Sequence, residues 1–183
     1  MTSPTISFAN EFQMEENTKS ELNNLLTICF PEFNYEGRTF FKQIPHYRLL
    51  MKLNNKLIGQ LAIDYRAMNL NQTLVTVFGV IDLVIHPSFQ KNGLGTKLMK
   101  ELERIAIENN NNIDFIFLVT DQPLFYERLG YTKTIQKVTW LKINQGKNYG
   151  IGSEQVDDCY LMYKKVGNKE WSDGELDLLG YWY

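Results

Sequence analysis

Gln90-Lys91-Asn92-Gly93-Leu94-Gly95-Thr96 follows an extended apolar run and opens an amphipathic helix, and the meaning of these seven residues decides the fold. Glycines let backbone amides turn inward with no side chain in the way, and the start of a helix adds partial positive charge. Such a turn suits a phosphate or a diphosphate. Two familiar phosphate patterns fail here. A dinucleotide fingerprint needs a third glycine or alanine where Leu98 stands, and a Walker loop needs Gly-Lys-Ser/Thr where the chain reads Gly95-Thr96-Lys97.

The segments around the loop alternate between helix and strand. Before it, residues 73–86 form an extended run whose apolar part, 75–85, carries Asp82 as its one charge and suits a central strand. After it, residues 95–109 place Leu98, Leu102, Ile105 and Ala106 on one stripe of a helix. Further out, Thr18 with Glu21 predicts a capped helix over 18–30, ended by Pro31. Strands over 47–53 and 57–65 flank a turn at Asn54-Asn55-Lys56. Residues 114–119 read as a buried strand, 123–129 as a short helix closed by Gly130, and 132–143 and 156–166 as two strands forming an antiparallel pair. Residues 167–183 fit no element.

Gln-x-x-Gly-x-Gly after a strand ending in His86-Pro87 resembles the acyl-CoA loop of the GNAT superfamily of N-acetyltransferases. A second signature follows in the right order: Gln122-Pro123-Leu124-Phe125-Tyr126-Glu127-Arg128-Leu129-Gly130-Tyr131 is similar to that family's aromatic-Tyr-x-x-x-Gly-aromatic helix. The resemblance spans residues 18–165 and is strongest over 80–131. It implies an α+β fold, a mixed and mostly antiparallel twisted sheet of about six to seven strands flanked by helices. It also implies a single acyltransferase domain over 1–183, with 167–183 a tail at the substrate site.

By the same resemblance, acetyl-CoA is the cosubstrate and an amine attacks its thioester directly. Backbone groups of Leu83, Val84 and Ile85 align the pantetheine arm, and amides of Gln90, Lys91, Asn92, Gly93, Leu94, Gly95 and Thr96 hold the pyrophosphate. Tyr126 stands where the family places the acid that protonates the leaving thiolate. The base is less sharply marked. Positions that hold carboxylates in relatives carry Gly79 and Ile81 here, which leaves Asp82, a water relay or His86. His46 shows no partner in sequence, and no metal site is expected.

Trp171-x-x-Gly174 and the closing Trp182-Tyr183 are similar to the ends of the aminoglycoside 2′-N-acetyltransferase and nodulation N-acyltransferase branches, and Arg38 before Thr39-Phe40-Phe41 adds to that likeness. Trp182, Tyr183 and Asp177 become candidate substrate residues, and the carboxylates of Glu170, Asp173, Glu175 and Asp177 suit a cationic amino sugar or aminoglycoside. The alternatives are a protein or peptide N-acetyltransferase and a non-catalytic acyl-CoA sensor.

Composition bounds these readings. A chain of 183 residues with 44% hydrophobic and 22% charged residues supports one substantial core. A net charge of −2 offers no field for nucleic acid or anionic lipid. Cys29 and Cys159 form no metal or disulfide pattern and read as free thiols. With no signal peptide and no run of the roughly 18 to 20 apolar residues that a span needs, the expected setting is the cytoplasm, with a small-molecule amine as partner and a homodimer as the compatible assembly.

Overall fold

A computed structural model describes residues 3–156 and 159–183. The chain divides into two compact units, Met1–Asp64 with Ile81–Leu102 and Tyr65–Val80 with Glu103–Tyr183. Three elements run from one into the other.

The first unit opens with β1 (Thr5–Asn10), a 3-10 turn (Glu11–Gln13) and α1 (Glu16–Cys29). Helix α1 starts two residues before Thr18, after an extended Glu15 with no side-chain cap, so the capping expected of Thr18 is not made. What fixes the helix is its apolar stripe. Leu22, Leu25 and Leu26 are buried with Met14, Tyr35, Leu50, Leu57 and Val84.

Strands β2 (Tyr47–Leu53) and β3 (Lys56–Leu70) form the expected hairpin. Asn54 and Asn55 both take positive φ, 49° and 63°, as a two-residue turn between twisted strands requires. β1 lies antiparallel on the other edge of β2. β3 runs five residues past its expected end, because Asn71 and Gln72 make a second tight turn, φ 47° and 68°, into β4 (Thr73–Ile85). A short 3-10 turn (Pro87–Phe89) then leads through the glycine loop into α2 (Leu94–Glu108). Leu94, Leu98, Met99, Leu102 and Ala106 are the buried stripe of α2.

The second unit contains β5 (Phe115–Thr120), α3 (Pro123–Glu127), β6 (Thr132–Thr134), β7 (Gln136–Asn144), β8 (Lys147–Gln155), β9 (Tyr160–Lys165) and β10 (Gly174–Tyr181). β5 lies parallel to residues 77–80 of β4 and antiparallel to β9, which also pairs with β6. β7 and β8 form a hairpin turned at Gln145 and Gly146, φ 46° and 70°. β10 runs parallel to β7 and antiparallel to the end of β3. Buried Phe115, Phe117, Val75, Val77, Val138, Leu161, Leu176 and Leu178 centre the core of this unit.

Ten strands among the described residues replace the six to seven expected, and the sheet is mostly antiparallel as anticipated. The run 132–143 breaks at Ile135 into β6 and β7, and only β6 pairs with β9. Residues 157 and 158 of the expected strand 156–166 lie outside the described residues. The partner of β7 is β8, whose polar, glycine-bearing sequence KNYGIGSEQ has no apolar alternation to betray it. The stretch after residue 167 contains a sheet strand, β10, rather than an irregular tail.

Candidate functional site

Within β4, Asp82 has a φ of 48°, which is rare for a residue with a side chain. The Gln60 side-chain amide, reaching across from β3, donates to the Asp82 carbonyl. Burial raises the Asp82 carboxyl above the usual carboxylate range, while the charges of Arg48 and Lys42 work in the opposite direction. A carboxylate so placed is a better proton acceptor than an exposed one.

Beyond Asp82 the backbone of Leu83, Val84 and Ile85 leads into the loop. Val84 points into the core around α1, and the Ile85 side chain fills a notch at Gly59, where an added Cβ would lie 2.5 Å from Ile85 Cδ1. The Ile85 carbonyl accepts from the Gln90 side-chain Nε2 at 2.9 Å and lies 3.7 Å from Cys29 Sγ. Burial pushes the Cys29 thiol up, which leaves it inert as a nucleophile. His86 Nδ1 accepts from the Ser88 amide at 3.2 Å. The ring thus caps the 3-10 turn.

Inside the loop, side chains pin the backbone and the backbone is what remains to bind. Gln90 is turned back onto Ile85, and Asn92 donates to the carbonyls of Phe89 and Gln90 at 3.2 and 3.0 Å. Lys91 and Gly93 hold positive φ, 61° and 71°, and the Gly93 carbonyl takes the first helical bond, from Lys97 at 3.1 Å. The amides of Leu94, Gly95 and Thr96 therefore precede any intrahelical acceptor. A Cβ added at Gly93 meets nothing within 4 Å, so the space beside Gly93 is open. Donors, helix start and open space fit a diphosphate, and nothing in the loop presents a carboxylate that would repel one.

Tyr126 lies in α3 of the second unit and is 8% exposed. Its ring meets Tyr131 edge-on at 5.7 Å and Phe125 at 4.9 Å. Burial, aided by the charge of Asp121, pushes its phenol up to about 12, so it holds its proton at every physiological pH. α3 ends at Glu127, two residues before its expected end, and Gly130, φ 82°, closes the turn that follows, where Lys164 ties the Leu129 carbonyl at 2.7 Å while pairing with Glu103 at 2.9 Å.

The C-terminal residues are built into the second unit. Trp171 stacks on Tyr163 at 4.4 Å, meets Phe115 edge-on and donates to Thr134 Oγ1 at 2.8 Å, which makes it a core anchor. Trp182 packs on Trp140 at 5.1 Å. Tyr183 lies over Gly79 of β4 so closely that a Cβ at Gly79 would overlap its hydroxyl and ring, and the Arg66 guanidinium sits 4.6 Å from the Tyr183 ring centre and 4.3 Å from that of Tyr181. The position where a β4 side chain would stand is taken by the Tyr183 phenol. Asp177 accepts from the Leu179 amide at 2.9 Å beside a cavity of about 230 Å³.

The carboxylates of this stretch are engaged. Glu170 pairs with Lys165, Asp173 accepts from Thr134, and Glu175 approaches Lys137 at 4.0 Å. Of the acids read as a cation-gathering tail, Glu170 and Glu175 face lysines, while Asp173 and Asp177 accept, among the described residues, only from neutral donors and keep their charge. His46, without a partner in sequence, is 2.8 Å from buried Asp64. Arg48 and Gln60 gave no signal in the sequence, because a charged and a polar residue on alternating strands look like a solvated face. Among the described residues no group of three or more His, Cys, Asp or Glu could hold a metal, and no helix is long and apolar enough to cross a membrane.

Residues 15–131 match the family model described as Acetyltransferase (GNAT) family. No curated protein matches the chain by sequence. Among solved structures, a GNAT family N-acetyltransferase of Escherichia coli, YhbS, in complex with CoA is 12% identical with a TM-score of 0.61, covering 95% of this chain and 88% of that one. The Escherichia coli ribosomal-protein-S18-alanine N-acetyltransferase is 13% identical with a TM-score of 0.57, covering 91% and 97%. A probable N-acyltransferase of Enterococcus faecalis is 14% identical with a TM-score of 0.58 over 73% of this chain, which spans only 33% of that protein's length. At such identities these likenesses speak for the fold.

Proposed function

The chain belongs to the acetyltransferase (GNAT) family, and from that premise we propose that it moves an acetyl group from acetyl-CoA to the primary amine of a small molecule in a ternary complex. The observation that carries the reading is the loop: amides of residues 94–96, open space at Gly93 and side chains of Gln90 and Asn92 turned onto the backbone together suit a coenzyme diphosphate. Bound there, acetyl-CoA supplies an acyl group activated as a thioester.

The chain's own groups have three tasks. Asp82, its carboxyl raised by burial, takes a proton from the attacking amine as the new N–C bond forms. A backbone amide within residues 83–85 meets the negative charge that grows on the acyl oxygen. Tyr126, protonated up to about pH 12, gives its proton to the sulfur as the C–S bond breaks and regains one from water. Trp182, Tyr183 and Asp177 serve the acceptor side. With Glu170 and Glu175 facing lysines and Asp173 and Asp177 left charged, the aromatic residues and the remaining acids favour an amino sugar or another compact amine over a polycation. Two half-buried free thiols suit a reducing compartment such as the cytoplasm.

A second reading, a peptide N-terminus as acceptor, is motivated by the likeness to the ribosomal-protein-S18-alanine enzyme. One assay separates the readings. Purified protein with acetyl-CoA is offered amino sugars, aminoglycosides, polyamines and peptides, and release of free CoA thiol is followed. Turnover with a small amine supports the proposal and turnover with peptides alone supports the second reading. Tight acetyl-CoA binding with no turnover on any amine leaves a non-catalytic sensor and overturns both.

A further inference from the structure

Arg48 of β2 has no solvent exposure, yet it is a guanidinium in the middle of a hydrophobic unit. Its Nε lies 2.5 Å from Glu11 Oε2, and its Nη2 is 3.3 Å from Glu11 Oε1 and 2.6 Å from the Thr39 carbonyl. Nη1 donates to Gln60 Oε1 at 2.9 Å. Thr39 Oγ1 completes the Glu11 carboxylate at 2.7 Å. Gln60, itself fully buried, turns its amide to the Asp82 carbonyl. The chain of bonds thus starts on the turn after β1 and ends on the one residue of β4 that departs from strand geometry.

Buried ion pairs contribute little net stability, and a hydrophobic set of the same volume commonly does as well. Fold stability alone therefore does not account for a desolvated Arg–Glu pair with nearly every donor satisfied. A network of this kind is stiff, and it specifies one arrangement. Here the arrangement is the left-handed turn at Asp82, which a non-glycine residue holds only when its surroundings over-determine it.

We propose that Glu11, Arg48 and Gln60 are positioning residues that lock the Asp82 turn of β4 and so fix the direction of the Asp82 carboxylate and of the amides that follow it. The catalytic consequence rests on the acyl-transfer reading, whereas the locking itself does not. The charged and titratable groups that face Asp82 are Arg48 from β2 and Lys42 and Tyr35 from the segment between α1 and β2. Arg48 acts through space as well as through Gln60, and its influence is tempered by Glu11.

Gln60→Glu tests the link, since it preserves an acceptor for Arg48 and removes the donor to the Asp82 carbonyl. In the ligand-free protein, amide exchange at residues 82–84 is expected to accelerate while exchange in α1 is unchanged. With acetyl-CoA and an accepted amine, kcat is expected to fall about tenfold to a hundredfold, the loss typical of a misplaced reacting group, with the KM for acetyl-CoA unchanged. Glu11→Gln leaves the link intact and Arg48 uncompensated. Its acid limb of kcat/KM moves to lower pH, because a stronger positive field favours ionised Asp82. If Gln60→Glu does not fold, Gln60→Met is read in the same two ways. Wild-type exchange at residues 82–84 in the Gln60 variant overturns the proposal. Faster exchange in a protein whose wild type acetylates no amine keeps the lock and discards the acyl-transfer reading.

Discussion

A carboxylate and a phenol carry the proposed chemistry, and their surroundings move both away from their ordinary titration. Asp82 binds its proton more tightly in the folded chain than in the unfolded one. The stability this contributes is present below the unfolded carboxylate range near pH 3.9 and is lost as pH rises through the folded value. Ionisation of the buried side chain therefore works against the fold. Asp82→Asn removes that charge, and asparagine tolerates positive φ well. The variant is expected to melt a few degrees higher than the wild type while kcat falls about a hundredfold or more, as read by thermal denaturation and CoA release. A lower melting point together with unchanged kcat would remove Asp82 from the mechanism. For Tyr126→Phe, loss of a proton donor predicts a drop in kcat of about a hundredfold with the acetyl-CoA Kd unchanged. A matching loss in affinity would make the hydroxyl structural.

Elements whose turn chemistry or apolar period is strong were legible in the sequence. Asn54-Asn55 announced the β2–β3 hairpin, Pro31 the end of α1, Gly130 the turn after α3, and the glycine loop the start of α2. β8 and β10 were not legible. β8 is a polar strand with exposed Tyr149 and Ile151 and no alternation, and β10 alternates only over Glu175–Leu178, a run too short to announce a strand whose partners are distant in sequence. For the same reason Trp171 read as part of a substrate tail and proves to be stacked in the core. Gly79 read only as a missing carboxylate. It makes room for Tyr183, and that is testable. Gly79→Ala is expected to destabilise by about 1–3 kcal/mol, the usual range for overpacking a well-filled site. In a Tyr183→Ala background the same change is expected to be neutral or slightly stabilising, since alanine suits a strand interior better than glycine. A double-mutant cycle by denaturant unfolding measures the coupling. Additive effects would mean that Tyr183 does not occupy the notch in solution.

At the scale of the whole molecule, a ligand that binds only the folded chain must raise its melting point, by an amount that its affinity sets. Acetyl-CoA at a hundred times its Kd contributes about 2.7 kcal/mol, which for a chain of this length corresponds to roughly 5–10 °C. The net charge of −2 provides no general attraction for a polyanion, so the shift has to come from the local donors of residues 94–96. Gly93→Asn separates that local contribution from folding. Asparagine accepts the φ of 71° that the loop needs, and its side chain enters the open space beside Gly93, where the proposed diphosphate approaches. Without ligand the variant is expected to melt within about a degree or two of the wild type, and with acetyl-CoA it is expected to lose most of the shift. Inorganic phosphate and pyrophosphate serve as partial probes in the same experiment. Pyrophosphate should produce a small shift in the wild type that disappears in Gly93→Asn. A full acetyl-CoA shift in the variant would place the coenzyme's diphosphate somewhere other than the start of α2.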